Sequence, residues 1–510
     1  MGSSDMRRCP LSLLLVGLVA IEAGAADRCA ALLQRDFTVL PDAATTVIRA
    51  TLVAAANGVP AHCTVEGRVA PAVNFSMQLP VPAEWNRRLL MQGCGGMCGA
   101  AQPATCEDAL ARRYATVTTD MGHQGAAWEA EWARDNLAAE IDFAYRATHV
   151  AAVAAQALVT AYYGEVAERR YFRGCSTGGR QGLVAAQRFP ADFDGIIAGA
   201  PVLSQTGVTA LHLIWSGRAN LDADGKPLLG PADVERLHAA VLARCGNALG
   251  VIPNPARCDF DPAVLLCARA ADTGCLNSNQ VAAARRLYAG ARDSAGRPLT
   301  PGGLAPGSER EWVPYFVGSD GPATFHPAGA VSVLYRNLIF MPDAPATASA
   351  ADFDFDRDPP RLALMESLYT PQNPDLGTYA ARDGKLILYH GWNDAEIPPA
   401  WMLDWFARVE QTMGGAERTA SFARLFMLPG VAHCRRGPGA DAIDWLTVLE
   451  RWVEQGEDPD TVEAFHLAVP ENYLGLPRKR FPLTAVEFDR VEIVRPWEVS
   501  ARAPAPLRPR

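Results

Sequence analysis

The chain has 510 residues, 49% of them hydrophobic and 20% charged, a composition that supports a large core and excludes disorder as the main state. Its formal net charge of -9 argues against nucleic acid as a partner, because binding phosphates requires clustered lysine and arginine side chains. The length indicates more than one domain, or one domain that carries a large insertion.

The N-terminus has the residue order of a secretory signal peptide. Arg7 and Arg8 precede an apolar stretch at 11–21, and small residues follow at 23–25. We therefore predict that residues 1–26 are removed and that the mature protein is secreted or periplasmic. The apolar stretch is too short to cross a bilayer and no later stretch is longer, so no membrane segment is expected.

The twelve cysteines indicate disulfides. All of them except Cys9 follow the predicted cleavage site, and an oxidising compartment favours their pairing. No Cys-x-x-Cys pair faces a second one and the histidines are scattered, so a zinc site is not expected. The mature chain keeps an odd number of cysteines, which leaves at least one thiol free or bonded to another chain.

The first strands of the chain lead to a cluster of glycines. Short alternating runs within 27–85 predict antiparallel strands at the edge of a sheet, and the run at 88–91 predicts a buried strand. The glycine-rich segment at 93–99 that follows is either a flexible turn or an oxyanion loop, in which glycine lets backbone N–H groups approach a developing negative oxygen. We favour the oxyanion loop, with the N–H of Thr177 as its second donor.

A strand, a helix and a further strand lead to the central motif. Residues 114–119 predict a strand, and the alanine-rich run at 141–163 predicts a helix from apolar residues at three- and four-residue spacing. The run at 171–173 predicts the next strand, which ends in Gly-Cys-Ser-Thr-Gly-Gly at 174–179. This Gly-x-Ser-x-Gly sequence matches a nucleophile elbow, a strand-to-helix turn that requires glycine beside Ser176. The alternative interpretation is an ordinary turn of small residues.

Alternating strands and helices predict an α/β fold with a mostly parallel, doubly wound sheet. The run at 195–201 predicts another buried strand of this sheet. The alternation then stops, and residues 202–380 are interpreted as a large inserted lid domain. The catalytic domain is therefore predicted to comprise residues 27–201 and 381–500, followed by a frayed tail at 501–510.

The sheet resumes after the predicted insertion. Strands are predicted at 385–389 and 423–428, with a helix at about 399–413 between them. Each of these two strands is followed directly by a residue that serine chemistry requires. Asp394 follows the first strand and His433 follows the second.

Ser176, Asp394 and His433 form the candidate catalytic triad. A serine hydroxyl needs a base to remove its proton, and a histidine base needs a carboxylate to orient its ring. Their order along the chain is that of α/β-hydrolases, and all three follow strands whose carboxyl ends share one edge of the sheet. His390 and His123 are the alternative bases. His390 is judged too close to Asp394 along one loop to be its partner.

Three sequences together resemble the tannase and feruloyl esterase family, which also includes mono(2-hydroxyethyl) terephthalate hydrolase. They are Gly-Cys-Ser-Thr-Gly-Gly-Arg at 174–180, His-Gly-Trp-Asn-Asp at 390–394 and His-Cys at 433–434. The similarity covers nearly the whole mature chain. It implies an α/β-hydrolase fold, a serine carboxylic-ester hydrolase that forms an acyl-enzyme on Ser176, small-molecule esters of aromatic acids as substrates, and Gly96 as an oxyanion donor.

The resemblance also implies a disulfide between Cys175 and Cys434. This bond would join the chain neighbours of Ser176 and His433. It is plausible on the residues themselves, since a serine and a histidine within hydrogen-bond reach bring their neighbours to the Cα separation of about 5–6 Å that a disulfide requires.

Other cysteine pairs have a weaker basis. The resemblance implies the structural bridges Cys29–Cys63, Cys245–Cys258 and Cys267–Cys275. It leaves Cys94, Cys98 and Cys106 unassigned, and a Cys98–Cys106 bridge is a hypothesis.

No cofactor is expected, although members of the family often bind calcium in the lid between two cysteines. Between Cys245 and Cys258 this chain has no acidic residue, whereas calcium takes about six to eight oxygen ligands. We therefore predict that this calcium site is lost. The acidic run at 352–358 alternates like a strand and is the alternative cation site; we interpret it as a solvated face above phenylalanines that pack inward.

Several questions stay open at the level of the sequence. Trp312, Tyr315, Phe316 and Trp392 either line an aromatic acyl pocket or belong to the core. Gallate, ferulate and terephthalate esters are not separated, and no oligomeric state is defined. A serine peptidase or amidase on the same fold, and a catalytically silent binding protein that keeps the fold, are the alternative functions.

Overall fold

The computed structural model describes residues 24–269, 271–319, 321–467 and 488–498. All but the last three residues of the predicted signal peptide at 1–26, and the whole predicted tail at 501–510, lie outside the described residues. Within the described part of the chain, no helix has the length and apolar character needed to cross a membrane.

A nine-stranded sheet forms the centre of the fold. Its strands are β1 (Thr45–Val53), β2 (His62–Val69), β3 (Val73–Pro80), β4 (Arg88–Gln92), β5 (Ala115–Thr119), β6 (Arg169–Cys175), β7 (Gly195–Gly199), β8 (Lys385–Gly391) and β9 (Ala423–Leu428). The spatial order is β1-β2-β3-β5-β4-β6-β7-β8-β9. The pairs from β1 through β3 to β5 are antiparallel, and every neighbouring pair from β5 to β9 is parallel. The predicted mostly parallel α/β sheet with an antiparallel edge is confirmed.

Helices and a separate hairpin complete the fold. The hairpin consists of β10 (Val462–Leu467) and β11 (Phe488–Val494). The α-helices that follow residue 100 are α1 (Glu107–Ala111), α2 (Leu137–Ile141), α3 (Ala147–Tyr163), α4 (Thr177–Arg188), α5 (Gln205–Gly207), α6 (Trp215–Ala219), α7 (Pro231–Cys245), α8 (Ser278–Ala289), α9 (Ala330–Asn337), α10 (Ala363–Tyr369), α11 (Gly377–Ala380), α12 (Pro399–Met413), α13 (Ala416–Ala420) and α14 (Trp445–Gln455). A π-helical turn at Asp142–Arg146 joins α2 to α3, so the helix predicted from residue 141 begins one turn earlier.

Apolar side chains cover both faces of the sheet. Phe172 and Ile196 belong to a large buried cluster that includes residues of α3, α4 and α12. Their chain neighbours Tyr171 and Ile197 belong to a second cluster, built with α14. Because successive residues of a strand point to opposite faces, the two clusters lie on opposite sides of the sheet. The carboxyl ends of the strands are left for the functional groups.

A long insertion separates β7 from β8. It runs from Gly199 to Lys385 and contains α5 to α11. Its described residues contribute only isolated bridges and no strand of the central sheet. Trp312 and Phe325 of the insertion are fully buried and belong to the same large cluster as Phe172, so the insertion packs onto the core of the sheet.

The acidic run at 352–358 is not a strand, and the strand-like interpretation is wrong. Asp354 accepts hydrogen bonds from the backbone N–H groups of residues 356 and 357, and the carboxylate of Asp358 accepts one from the N–H of Asp354. Such local bonds fold the run into turns. Phe353 is buried and Phe355 packs edge-on against Trp215. Among the described residues, no group of three or more His, Cys, Asp or Glu side chains is placed to hold a metal ion.

Candidate active site

Ser176 lies in a strained turn between β6 and α4. Its φ of 62° and ψ of -125° are unfavourable for any residue with a side chain. The surrounding backbone is too close for side chains: a Cβ on Gly174 would lie 2.5 Å from the carbonyl carbon of Gly178, and one on Gly179 would lie 2.4 Å from the carbonyl oxygen of Gly199. The glycines of the motif therefore meet the steric demand of this turn, as the sequence predicts for a nucleophile elbow.

Asp394 and His433 are in direct contact. Nδ1 of His433 lies 2.8 Å from Oδ2 of Asp394. The other carboxylate oxygen, Oδ1, accepts the N–H groups of Glu396 and Ile397 at 3.0 and 2.8 Å. Because Nδ1 faces a carboxylate, it carries the proton, which leaves Nε2 of the neutral ring as a proton acceptor.

The loop after β9 crosses the end of the sheet to reach Ser176. In the sheet order β9 lies three strands from β6, a distance of about 14 Å at ordinary strand spacing. The loop passes so close to the end of β8 that a Cβ on Gly391 would lie 2.2 Å from the carbonyl oxygen of Val431. At its end Cys434 forms a disulfide with Cys175, with a Cα–Cα distance of 6.0 Å. The bond joins the chain neighbours of Ser176 and His433.

His390 is a second partner of Asp394, contrary to the sequence-based judgement. Its Nε2 lies 3.2 Å from Oδ2 of Asp394 and 2.8 Å from the carbonyl oxygen of Ile397. Both neighbours are acceptors, so Nε2 carries the proton. The ring is fully buried. The turn between His390 and Asp394 folds back on itself, which a linear spacing of four residues did not reveal.

The electrostatics of Asp394 and His433 are strongly coupled. Burial opposes ionisation of Asp394, but the charge of His433 and hydrogen bonds from His390 and His433 hold the pKa of this carboxyl below its ordinary value. Burial likewise opposes protonation of His433. The charges of Asp394 and Glu396 and the hydrogen bond to Asp394 nevertheless raise the pKa of His433 to about 9, with Arg436 acting against them.

The glycine loop at 93–99 lies beside the elbow. β4 and β6 are parallel neighbours, and a Cβ on Gly178 would lie 3.0 Å from the carbonyl oxygen of Cys94. Gly96 has a φ of +57°, and a Cβ there would lie 2.5 Å from the carbonyl oxygen of Ala127. Thr177 is the first residue of α4, so its N–H has no acceptor within the helix. Thr177 therefore directly follows Ser176, and Gly96 belongs to the loop whose Cys94 contacts the elbow.

His123, the other alternative base, contacts the backbone of this loop. Its Nε2 lies 2.7 Å from the carbonyl oxygen of Met97, and its ring stacks on Trp132 with the centroids 3.7 Å apart. Burial lowers the pKa of His123, which favours the neutral ring.

The structure also settles the cysteines near the loop. Cys94 pairs with Cys98 across the glycine turn, with a Cα–Cα distance of 5.4 Å, and Cys106 is a buried free thiol. The Cys98–Cys106 hypothesis is therefore wrong, because the turn at 95–97, closed by the N–H of Cys98 on the carbonyl of Gly95, brings the nearer pair together. Burial raises the pKa of the Cys106 thiol to about 12. The remaining pairs are Cys29–Cys63, Cys245–Cys258 and Cys267–Cys275.

The loop between Cys245 and Cys258 does not fit calcium. It offers no carboxylate. The side-chain oxygen of Asn247 accepts the backbone N–H groups of Leu249 and Val251 at 2.9 and 3.3 Å, and so serves the turn. This donor set falls well short of the oxygen ligands that calcium takes.

The insertion reaches the candidate site through Tyr315. Its hydroxyl donates a hydrogen bond to Glu396 Oε1, and Oε2 of Glu396 lies 4.0 Å from Nε2 of His433. Trp312, Phe316 and Trp392, by contrast, are buried core residues. Sequence reasoning named Tyr315 as one aromatic among several and missed Glu396, whose position two residues after Asp394 is its only signal.

Comparisons with known proteins agree on one family. A family model described as "Tannase and feruloyl esterase" matches residues 57–485. A mono(2-hydroxyethyl) terephthalate hydrolase of Piscinibacter sakaiensis is 33% identical, over 87% of this chain and 85% of that protein. A probable feruloyl esterase of Arthroderma benhamiae is 31% identical, over 77% and 75% of the two chains. The crystal structure of feruloyl esterase B from Aspergillus oryzae shares the fold, with a TM-score of 0.76 at 23% identity over 93% of this chain and 96% of that one.

Proposed function

The chain belongs to the tannase and feruloyl esterase family of ester hydrolases, and on this premise we propose that it is a secreted serine esterase acting through an acyl-enzyme on Ser176. The observation that carries the proposal is the linked geometry of two contacts. Asp394 holds His433 at 2.8 Å, and the Cys175–Cys434 disulfide ties the residue after His433 to the residue before Ser176.

In the proposed acylation step, Nε2 of His433 removes the proton of the Ser176 hydroxyl as Oγ attacks the ester carbonyl. The N–H groups of Gly96 and Thr177 stabilise the negative oxygen of the tetrahedral intermediate. His433 then gives the proton to the departing alcohol, and a water molecule activated by the same histidine releases the acid. Asp394 keeps the ring oriented and stabilises its positive charge throughout.

We assign small-molecule esters of aromatic acids as the substrate class. The support is the similarity to a mono(2-hydroxyethyl) terephthalate hydrolase and to a probable feruloyl esterase. The disulfides among the described residues fit an oxidising compartment, which agrees with the proposed export. We propose no cofactor, because the loop between Cys245 and Cys258 does not fit calcium. We propose no nucleic-acid partner, because the net charge is negative.

The test is hydrolysis of methyl gallate, methyl ferulate, methyl caffeate and methyl butyrate by the mature protein and by Ser176→Ala. We expect turnover of at least one aromatic ester well above that of butyrate, and no turnover by the variant. A fluorophosphonate should label the wild type and not Ser176→Ala. Equal activity in the variant would contradict the assignment of the nucleophile, and faster cleavage of an anilide than of the matched ester would favour an amidase.

A further inference from the structure

A second carboxylate, that of Glu396, lies near the reactive nitrogen of His433. Asp394 contacts Nδ1, whereas Oε2 of Glu396 lies 4.0 Å from Nε2. Nε2 is the atom that must exchange a proton with the serine and with the leaving alcohol. Glu396 therefore lies on the side of the ring where the leaving group departs.

Glu396 is positioned from two parts of the chain. Its backbone N–H donates to Oδ1 of Asp394 at 3.0 Å, which fixes the start of its side chain relative to the triad. Its Oε1 accepts the hydroxyl of Tyr315, whose ring stacks on Phe325 with the centroids 5.6 Å apart. The oxygen that faces His433 is the one not bonded to Tyr315.

The carboxylate of Glu396 is reachable by a substrate. The side chain is 16% exposed, whereas that of Asp394 is 0% exposed. A buried carboxylate with all its oxygens bonded supports a histidine, but a partly exposed one beside the reactive nitrogen is available to a ligand. Such an acceptor bonds hydroxyl donors strongly and repels other carboxylates.

The gap of 4.0 Å is too long for a direct hydrogen bond between Glu396 and Nε2, and it fits a pair of oxygens on adjacent carbons. During proton transfer the ester oxygen lies one hydrogen-bond length from Nε2. A hydroxyl on the next carbon lies about the same distance from that ester oxygen when the two are gauche. The hydroxyl then falls within hydrogen-bond length of Oε2, so that the two oxygens bridge the two protein atoms.

From this geometry we propose that Glu396 is a specificity-determining residue that selects esters whose leaving alcohol carries a hydroxyl on the carbon adjacent to the one that bears the ester oxygen. Monoesters of glycols, glycerol and sugars belong to this class. The inference rests on the proposed serine-esterase function, because it requires Nε2 of His433 to protonate the leaving group. It adds a determinant for the alcohol portion of the substrate, separate from the acid portion.

Two substrates isolate this hydrogen bond. The 2-hydroxyethyl and 2-methoxyethyl esters of ferulic acid have the same acyl group and similar leaving groups, but only the first presents a hydroxyl donor. For the wild type we expect kcat/KM to be roughly tenfold higher for the hydroxyethyl ester, as a hydrogen bond to a charged acceptor provides. The ratio should fall to about one in Glu396→Ala and to an intermediate value in Glu396→Gln, which keeps a neutral acceptor.

Two controls separate this role from a structural one. Glu417→Gln makes the same charge change at an exposed position on α13 and should keep the wild-type ratio. Tyr315→Phe removes the bond that holds Oε1 and should lower the ratio less than Glu396→Ala. A wild-type ratio of about one, or an unchanged ratio in both Glu396 variants, would overturn the inference while leaving the esterase proposal intact. Failure of the wild type to cleave either ester, or cleavage of both by Ser176→Ala, would instead overturn the proposed function.

Discussion

The Cys175–Cys434 disulfide offers the sharpest test of the site, because its removal acts on stability and on catalysis by different routes. The bond joins residues 259 apart in the chain. In the chain-entropy description, opening a loop of that length relaxes the unfolded state by about 5 kcal/mol. That figure is the upper end of the stability loss expected for the double variant Cys175→Ser/Cys434→Ser.

The catalytic effect follows from the path of the loop. His433 is reached only after the chain has crossed about 14 Å from β9 back to β6, and the disulfide is the covalent tie at the end of that crossing. A displacement of about 1 Å between a nucleophile and its base lowers the rate roughly 100-fold. We therefore expect kcat/KM to fall roughly 100-fold in the folded double variant, with a smaller change in KM than in kcat.

The assay needs conditions in which the variant is folded. Urea unfolding followed by circular dichroism gives the loss in free energy of unfolding. The value of kcat/KM is measured at a temperature at least about 15 °C below the melting temperature of the variant. The matched control is Cys267→Ser/Cys275→Ser, which removes a bond between residues 8 apart in the insertion and should cost about 2.5 kcal/mol in stability with no loss of kcat. Wild-type kcat/KM in a folded Cys175→Ser/Cys434→Ser sample would refute the view that this bond positions the histidine.

The other predictions concern single groups of the site. Because the pKa of His433 is raised to about 9 and the base must be neutral, kcat/KM should rise with pH up to that region and fall as protons bind below it; a plateau already reached at pH 7 would contradict this. His390→Ala should lower kcat/KM roughly tenfold, since Asp394 loses a charge-assisted donor, and an unchanged value would remove His390 from the site. Gly96→Ala should lower kcat at least about 100-fold with little change in KM, unless Gly96 is not an oxyanion donor. Chelation with EDTA should leave the melting temperature and kcat unchanged. If EDTA lowered either quantity and added calcium restored it, the loop between Cys245 and Cys258 would be shown to bind the ion.

The strands that carry the site are readable from sequence for a physical reason. A strand buried on both faces of a parallel sheet is a continuous apolar run, so the runs at 385–389 and 423–428 stand out and coincide with the starts of β8 and β9. The residues directly after such runs must then lie at one edge of the sheet. This is why Ser176, Asp394 and His433 can be proposed as neighbours although they are far apart in the chain.

Features that depend on how turns fold are less accessible. Cys94 and Cys98 pair because a glycine turn returns the chain on itself, and the acidic run at 352–358 forms turns because its carboxylates bond local N–H groups. Alternation was the only visible pattern in the acidic run, and the cysteines offered no pattern that selects a pair. Local hydrogen bonds decided both outcomes. The contact of Tyr315 with Glu396 joins residues from two separate segments, so no local pattern announces it.

The insertion forms hydrogen bonds with the loop that carries Asp394. It bonds this loop on both sides of Asp394, at Asn393 through the carbonyl of Gly307 (2.9 Å), at Ala395 through His212 (2.8 Å) and at Glu396 through Tyr315. Burial lowers the pKa of His212 to about 4, so its ring is neutral and donates to the carbonyl without adding charge near the triad. A change at Tyr315 therefore acts on the Glu396 carboxylate without removing a contact of Asp394, Ser176 or His433. On this reasoning the preference for the leaving alcohol can change through residues such as Tyr315, independently of the groups that make and break the ester bond.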